Sequence, residues 1–368
     1  MTDAEAMARA LTLARAALGR TAPNPAVGAV LVRDGVVLGE GSTSPAGGPH
    51  AEVMALASAR DAGHDPRGAT LFVTLEPCCH HGRTPPCTVA LLEAGIARAV
   101  VGVTDPNPVV RGKGIAQLRA GGVSVDVGLA HDACERQILG FARAIVAELP
   151  QVTVKVAATL DGRIATAGGE SQWITSPEAR ADGRLLRGSH DAILVGIGTA
   201  LADDPRLTAR LDGATDPVPV VLDSRGRLPA TAQLLRGPRR AVVLTTRPGA
   251  LVGHEADILT VPADAAGRVD ITAGMRELAR RGLHRVLVEG GGEVVRSLFD
   301  ARLVDDLILY QAGLVLPGGR PWLGGSPVER LADGPRLTLH DVRRVGPDVR
   351  LHYTAAHCVG APLSELEG

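Results

Sequence analysis

The sequence predicts two α/β domains in tandem, meeting near Leu149-Pro150, and three observations carry that expectation. The chain has 368 residues, more than one ordinary core organises. Short apolar runs rich in Val, Ile and Leu alternate with segments of helical period, the pattern of layered α/β units. Pro150 disfavours helix at the residue before it, and a fresh strand pattern begins at Val152.

Composition narrows the function classes. Hydrophobic residues make up 45% of the chain and charged residues 21%, enough apolar material for packed cores and no signature of disorder. Aromatic residues at 2% and a net charge of −1 supply neither a stacking platform nor a basic footprint, which argues against a nucleic-acid partner. No apolar run has membrane-spanning length, and the start Met1-Thr2-Asp3 lacks a basic stretch followed by an apolar one, so a cytoplasmic protein is expected. The five cysteines, Cys78, Cys79, Cys87, Cys134 and Cys358, are odd in number with three bunched, a pattern of metal binding rather than disulfides. Lys113 and Lys155 are the only lysines. Lys155 interrupts the apolar run Val152 to Ala157, as a functional amine or as a snorkelling strand residue.

The first domain opens with an amphipathic helix over Asp3–Leu18, capped by Thr2 or Asp3 and ended by Gly19. Val27–Val32 and Val36–Leu38 flank Asp34-Gly35, a tight hairpin signal. Helix is expected over Ala51–Arg60, strand over Ala69–Leu75, helix over Pro86–Glu93 and strand over Arg98–Val103. Ile115–Ala120 and Val123–Val127 continue the alternation, and His131–Glu148 closes the unit. In the second domain, strands are expected at Val152–Ala158, Ala192–Val195, Val218–Leu222, Ala241–Thr245, Arg285–Val288 and Asp306–Tyr310. Helices are expected near Pro177–Arg187, Ile271–Arg281 and Glu293–Asp300. Pro229–Asp270 is the least patterned stretch, and residues 362–368 read as a loose tail.

Chemistry concentrates at Pro49-His50-Ala51-Glu52, Glu76-Pro77-Cys78 and Pro85-Pro86-Cys87. One imidazole and two thiolates leave a fourth tetrahedral position open, as catalytic zinc requires. Glu52, two positions from His50, is placed to move a proton between zinc-activated water and a leaving amine, the chemistry of hydrolytic deamination. Eight residues separate Cys78 from Cys87, more than the short spacing general to zinc deaminases. Cys79, His80 and His81 lie between them and could instead complete a closed structural site, which would leave Glu52 without a role. Cys134 and Cys358 read as isolated thiols. In the second half, Val286-Leu287-Val288-Glu289-Gly290-Gly291-Gly292-Glu293 reads as strand, glycine turn and helix, a layout that brings backbone donors to a phosphate or makes a plain turn. It is not a Gly-x-Gly-x-x-Gly fingerprint and comes late, which argues against a Rossmann domain.

Several segments together resemble the RibD family of bifunctional riboflavin biosynthesis proteins. These are Thr21-Ala22-Pro23-Asn24-Pro25, His50-Ala51-Glu52, Leu75-Glu76-Pro77-Cys78, the run from His80 to Cys87, Asp105-Pro106-Asn107-Pro108, Lys155 to Arg163, Gly169 to Thr175, and Leu201-Ala202-Asp203-Asp204-Pro205. The resemblance implies a cytidine-deaminase-like three-layer α/β/α domain over 1–149 and a reductase domain over 150–361 similar to dihydrofolate reductase. It also implies one zinc held by His50, Cys78 and Cys87, with Glu52 catalytic. Asn24 would hold the pyrimidine and Arg83 approach the substrate phosphate. NADPH contacts would fall to Ala158, Trp173, Thr199, Asp203, Ser224 and a loop comprising Gly291, Gly292, Glu293, Val294, Val295, Arg296 and Ser297. Substrate contacts would fall to Ser171, Arg187, Leu207, Arg210 and Glu289. Lys155 and Asp161 are candidates to orient or polarise an imine. One departure is Gly41-Ser42-Thr43, where the family usually has a histidine; Thr43 can donate a hydrogen bond but carries no charge.

The implied reaction is deamination of a diaminopyrimidinone ribosyl phosphate followed by NADPH-dependent reduction of its ribose. Two other readings compete: a nucleic-acid or free-base zinc deaminase with an accessory nucleotide-binding domain, and a zinc-stabilised interaction protein. The near-neutral charge weighs against the first and Glu52 against the second. The oligomeric state is open.

Overall fold

The computed structural model describes residues 1–80, 85–325 and 328–355. Arg83, Cys358, the tail 362–368 and the expected domain end at 361 lie outside them. The chain divides into two compact units, one spanning Met1–Glu148 and one starting at Leu149.

The first unit begins with α1 (Asp3–Ala17), closed at its start by a capping box in which the Thr2 hydroxyl accepts from Glu5 N and the Glu5 carboxylate accepts from Thr2 N. Strands β1 (Gly28–Arg33) and β2 (Val36–Ser42) form the expected hairpin. Asp34 and Gly35 both take positive φ, as a turn matching strand twist requires. Then follow α2 (Ala51–Asp61), β3 (Thr70–Leu75), α3 (Cys87–Glu93), β4 (Arg98–Val103), α4 (Lys113–Ala120), β5 (Ser124–Val127) and α5 (His131–Val146). The sheet runs β2-β1-β3-β4-β5, antiparallel around β1 and parallel from β3 to β5. Helices α1 and α5 pack together on one face and α2, α3 and α4 line the other, giving three layers.

The second unit contains β6 (Gln151–Thr159), β7 (Arg163–Ala165), α6 (Pro177–Gly188), β8 (Ala192–Gly196), α7 (Ile197–Asp203), β9 (Val218–Leu222), β10 (Ala241–Thr245) and β11 (Ala256–Thr260). It continues with α8 (Ile271–Arg280), β12 (Arg285–Val288), α9 (Gly292–Asp300), β13 (Asp306–Ala312), β14 (Arg320–Pro321), β15 (Leu337–Val345) and β16 (Asp348–Ala355). Nine strands form one sheet in the order β11-β10-β9-β8-β12-β6-β13-β16-β15, parallel from β11 to β13 and closed by an antiparallel hairpin. Fully buried Val, Ile and Leu fill its central strands.

The structure adds α7, β7, β11, β14 and the β15–β16 hairpin to what periodicity suggests. Strand β15 is exposed along nearly its whole length, so no alternation toward a core marks it. Helix α7 is only seven residues. The implied cofactor loop and the expected helix overlap in the sequence, and the structure gives Gly292 to Ser297 to the first turns of α9, with Val295 buried in the core.

The close seating of α2 has a local cause. A Cβ on Gly41 would stand 2.4 Å from Ala51 O and 2.5 Å from Ala55 N, so only a glycine lets α2 lie this close to β2. We therefore expect Gly41→Ala to destabilise the protein by about 1 to 3 kcal/mol through overpacking and to weaken metal retention, because His50 and Glu52 begin α2. Denaturant unfolding and a zinc titration measure both; unchanged values would show that α2 is not pinned there.

Candidate metal centre and reductase cleft

His50 is the N-cap residue of α2, Cys78 lies in the loop after β3, and Cys87 is the first residue of α3. The His50 Nδ1 atom lies 3.5 Å from Cys78 Sγ and 3.3 Å from Cys87 Sγ, with all three donor atoms within 4.8 Å of one another. Zinc bonds of about 2.0 Å to nitrogen and 2.3 Å to sulfur, at the tetrahedral angle, separate N from S by about 3.5 Å. The donor triangle thus fits zinc without rearrangement. It is the one such cluster of His, Cys, Asp and Glu found among the described residues.

The sulfurs compete for a proton. The hydrogen bond from Cys87 and the neighbouring His50 draw Cys78 down to about 4, while that same hydrogen bond to Cys78, with burial, pushes Cys87 far up. Cys78 Sγ also accepts the Cys87 backbone N–H at 3.3 Å. Glu52 is 4% exposed, and burial, reinforced by the Cys78 charge, lifts its carboxyl to about 7.

Neighbouring residues hold this arrangement, and two of them escaped the sequence reading. The buried Glu76 carboxylate accepts backbone N–H groups from Asp105, Gly112 and Ile115 at 2.9 to 3.1 Å, binding the loop after β4 to the strand that delivers Cys78. The Thr88 backbone N–H and hydroxyl both reach Cys78 O. Glu76 stands in the motif beside Cys78, where a buried carboxylate next to a metal ligand was the available signal; Thr88 carried none.

The remaining candidates sort plainly. Asn24 lies half-buried in the turn before β1. Thr43 is buried, and its hydroxyl accepts from Val27 N at 3.1 Å, so it serves the β1–β2 edge as well as any substrate. Cys79 is half-exposed and outside the donor triangle, and Cys134 is wholly buried, packed over Gly102.

In the second unit, a cleft of about 1560 Å³ opens at the carboxyl ends of the parallel strands, where ligands bind in open α/β sheets. Its walls include Trp173, Thr199, Asp203, Ser224, Gly291, Gly292, Glu293, Val294 and Ser297 of the implied cofactor set. Lys155, Ser171, Arg187, Leu207, Arg210 and Glu289 of the implied substrate set also line it. Ala158, Val295 and Arg296 are not among the wall residues: Ala158 and Val295 are core, and Arg296 pairs with Asp300. Leu207 turns its side chain into the core, leaving its backbone to the cleft. Asp161 is not among the wall residues; its carboxylate accepts Leu316 N at 3.0 Å and faces Arg163.

Arg187 is not an open cation. Its Nε and Nη2 atoms each donate to Glu289 at 2.9 Å and its Nη1 donates to Thr208 O. Burial pushes the Glu289 carboxyl up, but the Lys155 and Arg187 charges outweigh it and hold the group at about 2. Lys155 Nζ also stands 5.9 Å from the centre of the Tyr310 ring. Trp173 is 67% exposed in the cleft, with the Arg180 guanidinium stacked 4.4 Å from its ring centre.

A three-donor metal centre beside a buried carboxylate, in one chain with a glycine-turn cleft on a parallel sheet, defines a zinc deaminase fused to a nucleotide-dependent reductase. Residues 1–103 match the cytidine and deoxycytidylate deaminase zinc-binding region, and residues 150–351 match the RibD C-terminal domain. The riboflavin biosynthesis protein RibD of Escherichia coli is 41% identical, over 97% of this chain and all of that one. Its Haemophilus influenzae counterpart is 40% identical over 96% and 97%. A crystal structure of a diaminohydroxyphosphoribosylaminopyrimidine deaminase/5-amino-6-(5-phosphoribosylamino)uracil reductase from Thermotoga maritima superposes with a TM-score of 0.88 at 36% identity, covering 96% of this chain and 99% of that one. The chain belongs to the RibD family.

Two expectations follow from the geometry. Cys79→Ser should retain one zinc per chain and Cys87→Ser should lose it, by elemental analysis; the reverse would exchange the two thiols' roles. His190 is buried, its Nδ1–H donating to Leu186 O while its Nε2 accepts from the Thr153 hydroxyl, and burial draws it down to about 3 from 6.5. The unfolded chain therefore takes up a proton below pH 6.5 that the folded chain refuses. Stability conferred by neutral His190 is complete above that pH and is lost as pH falls toward 3, by about 1.4 kcal/mol between pH 7.5 and 5.5. Both tryptophans, Trp173 and Trp322, belong to this unit, so their fluorescence in denaturant reads it alone. His190→Gln should flatten the pH dependence, and an equally steep loss in the variant would assign it elsewhere.

Proposed function

We propose that this bifunctional deaminase–reductase of riboflavin biosynthesis works through two chemically separate sites, and the His50–Cys78–Cys87 triangle with Glu52 beside it carries the first assignment. The substrate is a diaminopyrimidinone ribosyl 5′-phosphate. Zinc held by the three donors supplies a Lewis acid that makes water nucleophilic near neutral pH. Glu52 accepts a proton from the attacking water and delivers it to the departing amine, so that water enters and ammonia leaves. Asn24 orients the pyrimidine. The thiol ligands suit a reducing cytoplasm.

In the second step the ribosyl group, opened to an imine at C1, is reduced to a ribitylamino group. NADPH would supply the hydride to C1, and the imine nitrogen takes its proton from water in the open cleft. The cleft suits dinucleotide and substrate together, being larger than the usual single-ligand pocket. The turn Gly290-Gly291 leads into the N-terminus of α9, where unpaired backbone N–H groups favour a pyrophosphate. Lys155, held between Glu289 and Tyr310, faces the imine. Arg210, exposed and in no ion pair among the described residues, anchors the substrate phosphate with the outer edge of Arg187.

Supplying the diaminopyrimidinone ribosyl phosphate with and without NADPH, and identifying the products, tests the whole reading. Glu52→Gln should keep zinc yet lose deamination by roughly 10² or more, while still oxidising NADPH with the deaminated intermediate. Deamination near the wild-type rate in the zinc-loaded variant would falsify the role of Glu52. Loss of both reactions would show that the two sites, proposed for 1–149 and 150–361, are not separable. Arg187→Ala should impair reduction alone, and more through the stranded Glu289 carboxylate than through a lost phosphate contact; Arg187→Ala/Glu289→Gln should then recover stability in tryptophan-monitored unfolding.

A further inference from the structure

One face of the sheet in the second unit carries a row of polar groups that do not line the cleft. Strand register places Tyr310 of β13 beside Arg350 of β16, and Arg350 beside Arg343 of β15. All three meet Asp182 of α6. The Tyr310 hydroxyl donates to Asp182 Oδ2 at 2.5 Å, Arg343 Nη2 donates to Oδ1 at 2.9 Å, and Arg350 Nε stands 3.5 Å from Oδ2. On its other side Tyr310 faces Lys155, whose Nζ is 5.9 Å from the ring centre. We propose that Tyr310 and Asp182 are positioning residues for the reduction, holding the Lys155 ammonium at the place in the cleft from which it meets the substrate.

The inference deepens the reading of Lys155 as a substrate-facing residue and rests on it. Lys155 lines the cleft, whereas neither Tyr310 nor Asp182 is among the wall residues, so any effect of theirs on reduction passes through a neighbour. Register identifies that neighbour: β6 pairs with β13 so that Ile308 lies beside Lys155 and Tyr310 beside Ala157. Tyr310 is therefore the diagonal neighbour of Lys155, within reach of a long side chain across the small Ala157. Above them α6 presents Gly183, where a Cβ would stand 3.5 Å from Lys155 Cε and 4.0 Å from Tyr310 Cε2. The lysine stem thus runs between sheet and helix, with Tyr310 on the β13 side and Glu289, whose charge it favours, following β12 on the other.

A compact charge on a flexible four-carbon stem has many rotamers, and a partner is needed to select one. A cation near an aromatic face is drawn by the ring quadrupole, most strongly where water is excluded, and Tyr310 is only 1% exposed. Burial and the hydrogen bond to Asp182 hold the phenol proton far more tightly than usual, so Tyr310 neither ionises nor supplies a proton. Its ring is a fixed surface. Asp182 can serve as the acceptor because Arg343 and Arg350 compensate its charge. The β15–β16 hairpin, which lies outside the cleft, thereby reaches the cleft lysine through Asp182 and Tyr310.

The test follows single-turnover NADPH oxidation by the full-length protein with the deaminated substrate at saturating concentrations. Tyr310→Leu should slow hydride transfer on the order of tenfold and leave half-saturation by NADPH within about twofold. Tyr310→Phe, which keeps the ring, should recover most of the rate. Asp182→Ala should slow the step about fivefold by freeing the phenol, and Asp182→Asn, whose amide oxygen still accepts the hydroxyl, should recover most of it. A double-mutant cycle decides the matter: in a Lys155→Met background neither Tyr310→Leu nor Asp182→Ala should slow the reaction further, because their effect passes through the ammonium. Tryptophan-monitored unfolding identifies the folded variants, and the Asp182 variants carry the cycle if Tyr310→Leu does not fold. A slowing in the Lys155→Met background as large as in the wild type overturns the proposal, since it would place the effect elsewhere. So does a folded Tyr310→Leu or Asp182→Ala that reacts at the wild-type rate. Lys155→Met at the wild-type rate overturns the reading of Lys155 itself, and the proposal with it.

Discussion

Three donor atoms share one ion only when the elements carrying them are fixed to a few tenths of an ångström, and the first unit is arranged around that demand. His50 arrives on α2, Cys78 on the loop after β3 and Cys87 on α3. Glycine on β2 removes the side chain that would hold α2 away from the sheet, and Glu76 spends its buried carboxylate on three backbone N–H groups of the neighbouring loop. A buried carboxylate is costly unless its lone pairs are filled. Here they are filled by backbone whose position then cannot drift.

The second unit meets a different constraint, the handling of charge at the mouth of a parallel sheet. Arg187 pairs with the buried Glu289 carboxylate, whose charge Lys155 also favours, and removing Arg187 would strand that carboxylate in low dielectric. Arg225, Arg227 and Arg210 by contrast are left open to the cleft. Cations committed to internal pairs fix geometry, whereas open ones are free to recognise phosphate.

Much of this was legible in the chain because its signals are local. The hairpin at Asp34-Gly35, the capping of α1 and the buried runs of β9, β10 and β12 follow from steric and hydrophobic rules acting over a few residues. The clustering of His50, Cys78 and Cys87 was legible because metal chemistry admits few residue types, and the structure brings their donor atoms within 4.8 Å of one another. Strand β15 of the closing hairpin was not legible, since a strand exposed on both faces carries no period. The pairing of Arg187 was not legible for a related reason: its partner Glu289 lies 102 positions away, and an arginine alone in a helix looks the same whether open or paired.

The sequence by itself determined the residue chemistry: one imidazole, two thiols and a neighbouring carboxylate in the first half, and a glycine turn between strand and helix in the second. Tertiary structure alone decided which charges are spent and which remain available. Asp223 is turned inward by its bond to Leu228 N, Asp161 is engaged by Leu316 N, and Arg187 is neutralised by Glu289. The physical reason is that ionisation and hydrogen bonding depend on burial and on partners distant in sequence, and neither exists until the chain has folded.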